Sequence, residues 1–189
     1  AAGNGVAWSD TADGTAMATF AFGAGNRVEL SAKASVVPFD ASWMQGVVSG
    51  KPDLIRGGAI SSSQHATSFC TTRHPRTALG LSQDGKTLYL VVVDGRTTAS
   101  VGMSCAELAT LLRGLGAWHA VNLDGGGSTA MYVAGQGVVN HPSDGSERVV
   151  GNHLAVFAPS NGSQGTLKGV IYEGTNTSAR LAGATLRVT

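Results

Sequence analysis

Ala120-Val121-Asn122-Leu123-Asp124-Gly125-Gly126-Gly127-Ser128-Thr129 runs from two apolar residues through an acid into three glycines and two hydroxyls. An apolar run that breaks at Asp-Gly reads as a buried strand ending in a loop. Three glycines strip that loop of Cβ atoms, so its N–H groups can approach a ligand closely and adopt φ > 0 where an anion-binding nest requires it. Asp124 and Ser128 would then flank a pocket floored by backbone. The same residues also suit a tight turn in which Asp-Gly supplies only turn chemistry, and spacing alone does not separate the two. A P-loop is excluded, because no Gly-Lys-Ser/Thr closes the glycines and residues 129–133 read as a strand rather than a helix.

Upstream of this strand, Ser104-Cys105-Ala106-Glu107 is a capping box, and Leu108, Leu111, Leu112 and Leu115 follow at helical spacing. One amphipathic helix is therefore expected to end near Gly114 or Gly116, pack its leucine face on a sheet, and lead into a strand over 118–123. Residues 77–81 and 87–94, joined by Asp84-Gly85, form a hairpin whose second strand is apolar on both faces and is expected to be central. Further strands are expected over 15–22, 28–37, 47–53 and 54–58, with 61–72 as a loop. A second hairpin turns at Gly135-Gln136-Gly137, and 154–157 supplies a closing strand. Residues 159–165 read as a linker, followed by strands over 166–172 and 182–188. The fold class is α+β (mixed α/β): a central, mostly antiparallel sheet with at least one packed helix, plus a C-terminal β hairpin of the kind that opens a β-sandwich.

With 189 residues and 42% hydrophobic content, the chain can bury one core and a small addition. A net charge of +1 and only 13% charged residues give no field suited to nucleic acid or an anionic membrane surface. No apolar run of about 18 residues is present, so no membrane span is expected. The 27 glycines, with abundant Ala, Ser and Thr, fit a turn-rich exported protein. Residues 1–5 have neither the basic start nor the apolar core of a signal peptide, so a secreted, extracellular or periplasmic location requires that its signal has been removed. Cys70 and Cys105 are the only cysteines. In an oxidising compartment they would bridge a loop of about 35 residues, worth ~3–4 kcal/mol; two buried thiols are the alternative. The five histidines, at 65, 74, 119, 141 and 153, show no ligand spacing, so neither a metal site nor a cofactor is expected.

Polar residues cluster at the ends of these strands: Arg76, Asp94, Arg96, Asn122, Asp124, Ser128, Asp144, Arg148 and Asn152. Arg76-Thr77-Ala78-Leu79-Gly80, Val93-Asp94-Gly95-Arg96, the Ser104 helix, 121–129, and Pro142-Ser143-Asp144-Gly145 with Arg148 and Asn152 occur in the order seen in the phosphodiester glycosidase family. The chain resembles that family over about residues 47–158. The resemblance divides it into 1–159, a phosphodiester glycosidase-like domain, and 160–189, a linker and partial β module. The tail resembles the opening hairpin of a carboxypeptidase-regulatory-like domain at Gly169-Val170 and Gly183-Ala184.

The family's chemistry implies hydrolysis of a sugar-1-phosphodiester at the anomeric carbon, on a bacterial glycan or glycoconjugate. A phosphodiester leaves readily, so catalysis calls for stabilised phosphate charge and a supported oxocarbenium-like sugar more than for a strong general acid. The resemblance implies catalytic roles for Asp124, Asp94 and Arg76. It implies substrate binding by Asn122, Gly125, Gly126, Gly127, Ser128, Asp144, Arg148 and Asn152. The expected partner is a carbohydrate or sugar-phosphate substrate. The family's Asn-Gly-Gly-Phe-Phe-like motif has no match in residues 1–46, which points to a start beyond that motif or a divergent branch. A cleaved or separate N-terminal piece of the same protein is then a second expected partner. A carbohydrate-binding module without turnover, and another glycan hydrolase or phosphatase, stand as alternatives.

Overall fold

The computed structural model describes residues 18–24, 28–31, 44–151, 153–156, 166–168 and 185–187. In chain order the strands are β1 (Ala18–Gly23), β2 (Val28–Ser31), β3 (Met44–Gly50), β4 (Asp53–Arg56) and β5 (Ala59–Ile60). The one-turn helix α1 (Ser68–Thr71), β6 (Arg76–Ser82), β7 (Leu88–Val93), α2 (Cys105–Leu115) and β8 (Ala117–Asn122) follow. The last strands are β9 (Tyr132–Val133), β10 (Gly137–Val138), β11 (Thr166–Lys168) and β12 (Thr185–Arg187).

The main sheet has five strands in the order β5-β4-β8-β6-β7, and every neighbouring pair is antiparallel. Its two faces are both covered, because alternate residues of each strand point to opposite sides. On one side Ala78, Val91, Val93 and Ala120 pack with Leu108, Ala109 and Leu112 of α2. On the other, Leu79, Leu81 and Val121 pack with Phe20, Phe22, Val28 and Val48 of a three-stranded sheet ordered β2-β1-β3. The two C-terminal strands, β11 and β12, pair antiparallel with each other.

α2 forms where the capping box predicts it. Glu107 N–H donates to Ser104 Oγ at 3.3 Å and Ser104 N–H returns a bond to Glu107 Oε2 at 2.9 Å, while Gly116 ends the helix at φ +105. Burial pushes the Glu107 carboxyl up, but the Arg73 guanidinium and the Ser104 donors outweigh it and hold Glu107 below its ordinary range.

Three expectations need correction. β7 is an edge strand, not a central one; its apolar residues reflect a sheet covered on both faces, with Val91 and Val93 on the helix side and Leu90 on the other. The expected loop 61–72 contains a 3-10 turn at Ser62–Gln64 and α1, elements too short to show a period. Residues 153–156 form no strand, although Leu154 packs on the second core cluster. Of the expected strands over 166–172 and 182–188, only 166–168 and 185–187 lie among the described residues.

α1 is held by side chains rather than by its own length. Cys70 is bonded to Cys105, the first residue of α2, across a separation of 35 residues. Arg73 pairs with Glu107 of the capping box. Arg76, 1% exposed, donates from Nη2 to Phe69 O at 2.7 Å and Thr72 O at 2.9 Å, and from Nε to Met103 O at 2.8 Å. These bonds satisfy the carbonyls that end α1. Replacing both cysteines, Cys70→Ala with Cys105→Ala, is expected to lower stability by about 3 kcal/mol in the chain-entropy account of disulfides. Urea unfolding with circular dichroism measures it, and an unchanged midpoint contradicts this role.

Candidate active site

β8 delivers the glycine loop to one end of the main sheet, where β6 begins. Ala78 pairs with Asn122, and Leu123 N–H donates to Thr77 O at 2.8 Å, just before the loop departs. Gly126 N–H then donates to Pro75 O at 2.9 Å. A 3-10 turn over Gly126–Ser128 closes with Ser128 N–H on Gly125 O and Thr129 N–H on Gly126 O, both at 3.1 Å. The turn needs glycine twice over. Gly126 has φ +61, a region costly for residues with Cβ. At Gly127 a Cβ would stand 2.1 Å from Asp144 Oδ2 and 2.2 Å from Arg148 Nη2.

Asp124 is exposed at the mouth of this loop, with Oδ1 accepting Gly125 N–H at 2.9 Å. Its other oxygen meets no protein donor among the described residues. Gly125 and Gly126 thus spend their N–H groups inside the protein, and among the three glycines only Gly127 keeps one without a partner in the described residues.

Two guanidiniums reach the loop, one at Gly126 and one at Gly127. Arg148 donates to Asp144 Oδ2 from Nε at 3.0 Å and Nη2 at 2.6 Å, and its Nη1 reaches Ser128 Oγ at 3.4 Å. Arg96 lies over Gly126, its Nη1 and Nη2 each 3.1 Å from an ideal Cβ position there. Arg96 has φ +61, and among the described residues it is the one non-glycine in the left-handed region. His74 stands nearby; burial, then the charges of Arg76 and Arg96, lower its pKa, so the ring is neutral at pH 7. The His74 ring stacks with Phe69 at 6.3 Å between centroids.

The remaining expected site residues fall into two groups. Asp94 is brought to the site but is committed to protein donors: Oδ1 accepts Asn140 Nδ2 at 3.1 Å and His141 N–H at 2.9 Å, and Oδ2 faces His141 Nδ1 at 3.4 Å. Asn140 Nδ2 also donates to Thr129 O at 3.0 Å, so Asp94 fastens the 140–148 loop to the glycine loop. Arg76 and Asn122 sit beneath the site, each 1% exposed. Asn122 Nδ2 donates to Lys51 O at 3.0 Å and Leu123 O at 2.7 Å, which ties the β3–β4 connection to the end of β8. Burial lowers the pKa of Arg76, whose Nη1 has no hydrogen-bond partner. Asn152 lies outside the described residues.

Sequence reasoning gave no role to Arg96, His74 or Asn140. Arg96 carried a signal, since it follows Asp94-Gly95 at a strand end. His74 and Asn140 carried none, because their place depends on pairings with Met103 and Asp94 that are distant in sequence.

The phosphodiester glycosidase family (NAGPA) profile matches residues 2–157. The structure is similar to the catalytic domain of zebrafish N-acetylglucosamine-1-phosphodiester alpha-N-acetylglucosaminidase, auto-inhibited by its pro-peptide. That match has a TM-score of 0.55 and 26% identity, and covers 67% of this chain and 45% of the other. A candidate exported protein from Burkholderia pseudomallei K96243 matches with a TM-score of 0.50 and 34% identity over 66% of this chain and 28% of its own. The uncharacterised SPbeta prophage-derived protein YomE of Bacillus subtilis strain 168 is 39% identical over 89 residues, 47% of this chain and 14% of YomE. The chain thus spans less than half the length of each of these relatives. Among the described residues no helix is long and apolar enough to cross a membrane. The profile spans most of the chain, so this chain belongs to the phosphodiester glycosidase family.

Proposed function

We propose that this chain hydrolyses a sugar-1-phosphodiester at the anomeric carbon, releasing the free sugar and leaving the phosphate on its other alcohol. One observation carries the reading: the exposed Asp124 carboxylate shares a single glycine loop with the guanidiniums of Arg96 and Arg148. That pairing of an acid with cations suits a transition state that is positive at the sugar and negative at the departing phosphate.

In this reading the phosphate lies along the loop, met by Arg96, by Arg148 and by Gly127 N–H. Asp124 faces the anomeric carbon with the oxygen not used by Gly125. It either takes a proton from the attacking water or offsets the charge developing on the sugar. Water forms the new C1–O bond as the C1–O bond to phosphate breaks, and the electron pair leaves with the phosphate. Asp94 and Arg76 then act as positioning residues, since their hydrogen bonds go to the protein, and Ser128 helps place Arg148. The substrate is a sugar-phosphate of a bacterial glycan or glycoconjugate. The Cys70–Cys105 bond fits export to an oxidising compartment.

Sugar release from a panel of sugar-1-phosphodiesters tests the reading; sugar 1-phosphate released in its place would identify a phosphodiesterase, and inorganic phosphate released from a sugar-1-phosphate monoester would identify a phosphatase. Asp124→Asn is expected to lower kcat by about 10²–10⁴-fold, the range for a positioned acid–base group, with unchanged unfolding. Near-wild-type kcat in that variant excludes the role. Arg96→Gln is expected to lower kcat/KM by roughly 10²-fold, as when a donor to developing negative charge is removed. Arg96→Lys should restore only part of it, because an ammonium lacks the planar fork. Full activity in Arg96→Gln would place the phosphate elsewhere.

A further inference from the structure

The space on the Cβ side of Gly127, beside the loop that the reading above gives to the phosphate, is occupied by an acid and its guanidinium partner. Asp144 Oδ2 lies 2.1 Å from the position a Gly127 Cβ would take. That one oxygen receives both Nε and Nη2 of Arg148, at 3.0 and 2.6 Å. A guanidinium holds a phosphate oxygen with the same donors. We propose that Asp144 is an internal stand-in for the substrate's phosphate. It keeps Arg148 extended over the loop while the site is empty and yields that guanidinium when a phosphodiester oxygen arrives. The proposal rests on the phosphodiester reading of the site and reverses the role expected for Asp144: it competes with the substrate instead of binding it.

The geometry makes the exchange inexpensive. The Asp144 and Arg148 side chains are 40% and 47% exposed, so their pairing is a surface ion pair of small net stabilisation. They lie four residues apart on one loop, and Gly145 between them has φ +85 with open space where a Cβ would be. Asp144 can therefore swing outward without disturbing the sheet. Arg148 stays in place through Ser128 Oγ at 3.4 Å. A neutral glycoside offers nothing to displace the carboxylate, so the stand-in also selects for substrates that carry phosphate.

Titration of the full chain with dimethyl phosphate, followed by ³¹P NMR, tests this. Asp144→Asn is expected to tighten binding about two- to fivefold, the span of a surface ion pair. Glu147→Gln changes net charge by the same amount from the same loop and is expected to give a clearly smaller gain. Arg148→Gln weakens binding, and in that background Asp144→Asn brings no gain, so a double-mutant cycle isolates the contest for Arg148. Weaker or unchanged binding in Asp144→Asn overturns the proposal. So does an equal gain from Glu147→Gln, or no binding of dimethyl phosphate by any of these proteins. Because the titration reads binding alone, a failure to release sugar would count against the hydrolytic reading and leave the result on Asp144 standing.

Discussion

The buried guanidinium of Arg76 is the constraint on which the site rests. Its charge lies at 1% exposure and is answered by the carbonyls of Phe69, Thr72 and Met103. A buried charge without hydrogen bonds costs on the order of several kcal/mol, so these carbonyls must converge for the chain to fold. Their convergence fixes α1 against the start of α2, where the Cys70–Cys105 bond and the Arg73–Glu107 pair reinforce it. It also fixes Pro75, whose carbonyl holds Gly126. Gly102 and His74 pack so closely that a Cβ on Gly102 would meet His74 O at 2.3 Å, which brings the 94–103 loop to the same place. Arg76 thus acts on the site through the backbone of its neighbours.

Upon that base the glycine loop gathers opposite charges that would otherwise be spread along the sequence. Gly126 accepts Arg96 above it, Gly127 accepts Asp144 and Arg148, and Asp124 closes one end. Each glycine position is specified by what crosses it. Asp94 adds the last tie, drawing Asn140 and through it Thr129, so the 140–148 loop is held where Arg148 can reach Ser128. The left-handed backbone at Arg96 is the strain this arrangement retains, of a kind that collects at functional sites.

Much of this was legible in the residues. The capping box of α2, its leucine spacing and the 77–94 hairpin predicted their elements because each signal is local. Count and context left the two cysteines either bridged or as buried thiols, and the bridge is what forms. What stayed hidden was set by distant partners. Apolar residues on both faces of β7 could not say whether its neighbours were strands or covering layers. α1 is held by ties to Cys105 and Glu107, more than 30 residues away in each case. An arginine before a strand reads the same whether it faces a phosphate or, like Arg76, three carbonyls. For the same reason Arg96, the more exposed of the two, was passed over.

The central claim, attack at the sugar carbon with phosphate as the leaving group, is tested most directly by hydrolysis in ¹⁸O-labelled water. Mass analysis of the phosphate-bearing product then reads which bond broke. Cleavage between C1 and oxygen predicts a phosphate free of the label. Label in the phosphate would mean attack at phosphorus, and would replace the glycosidase account with that of a phosphodiesterase on the same fold.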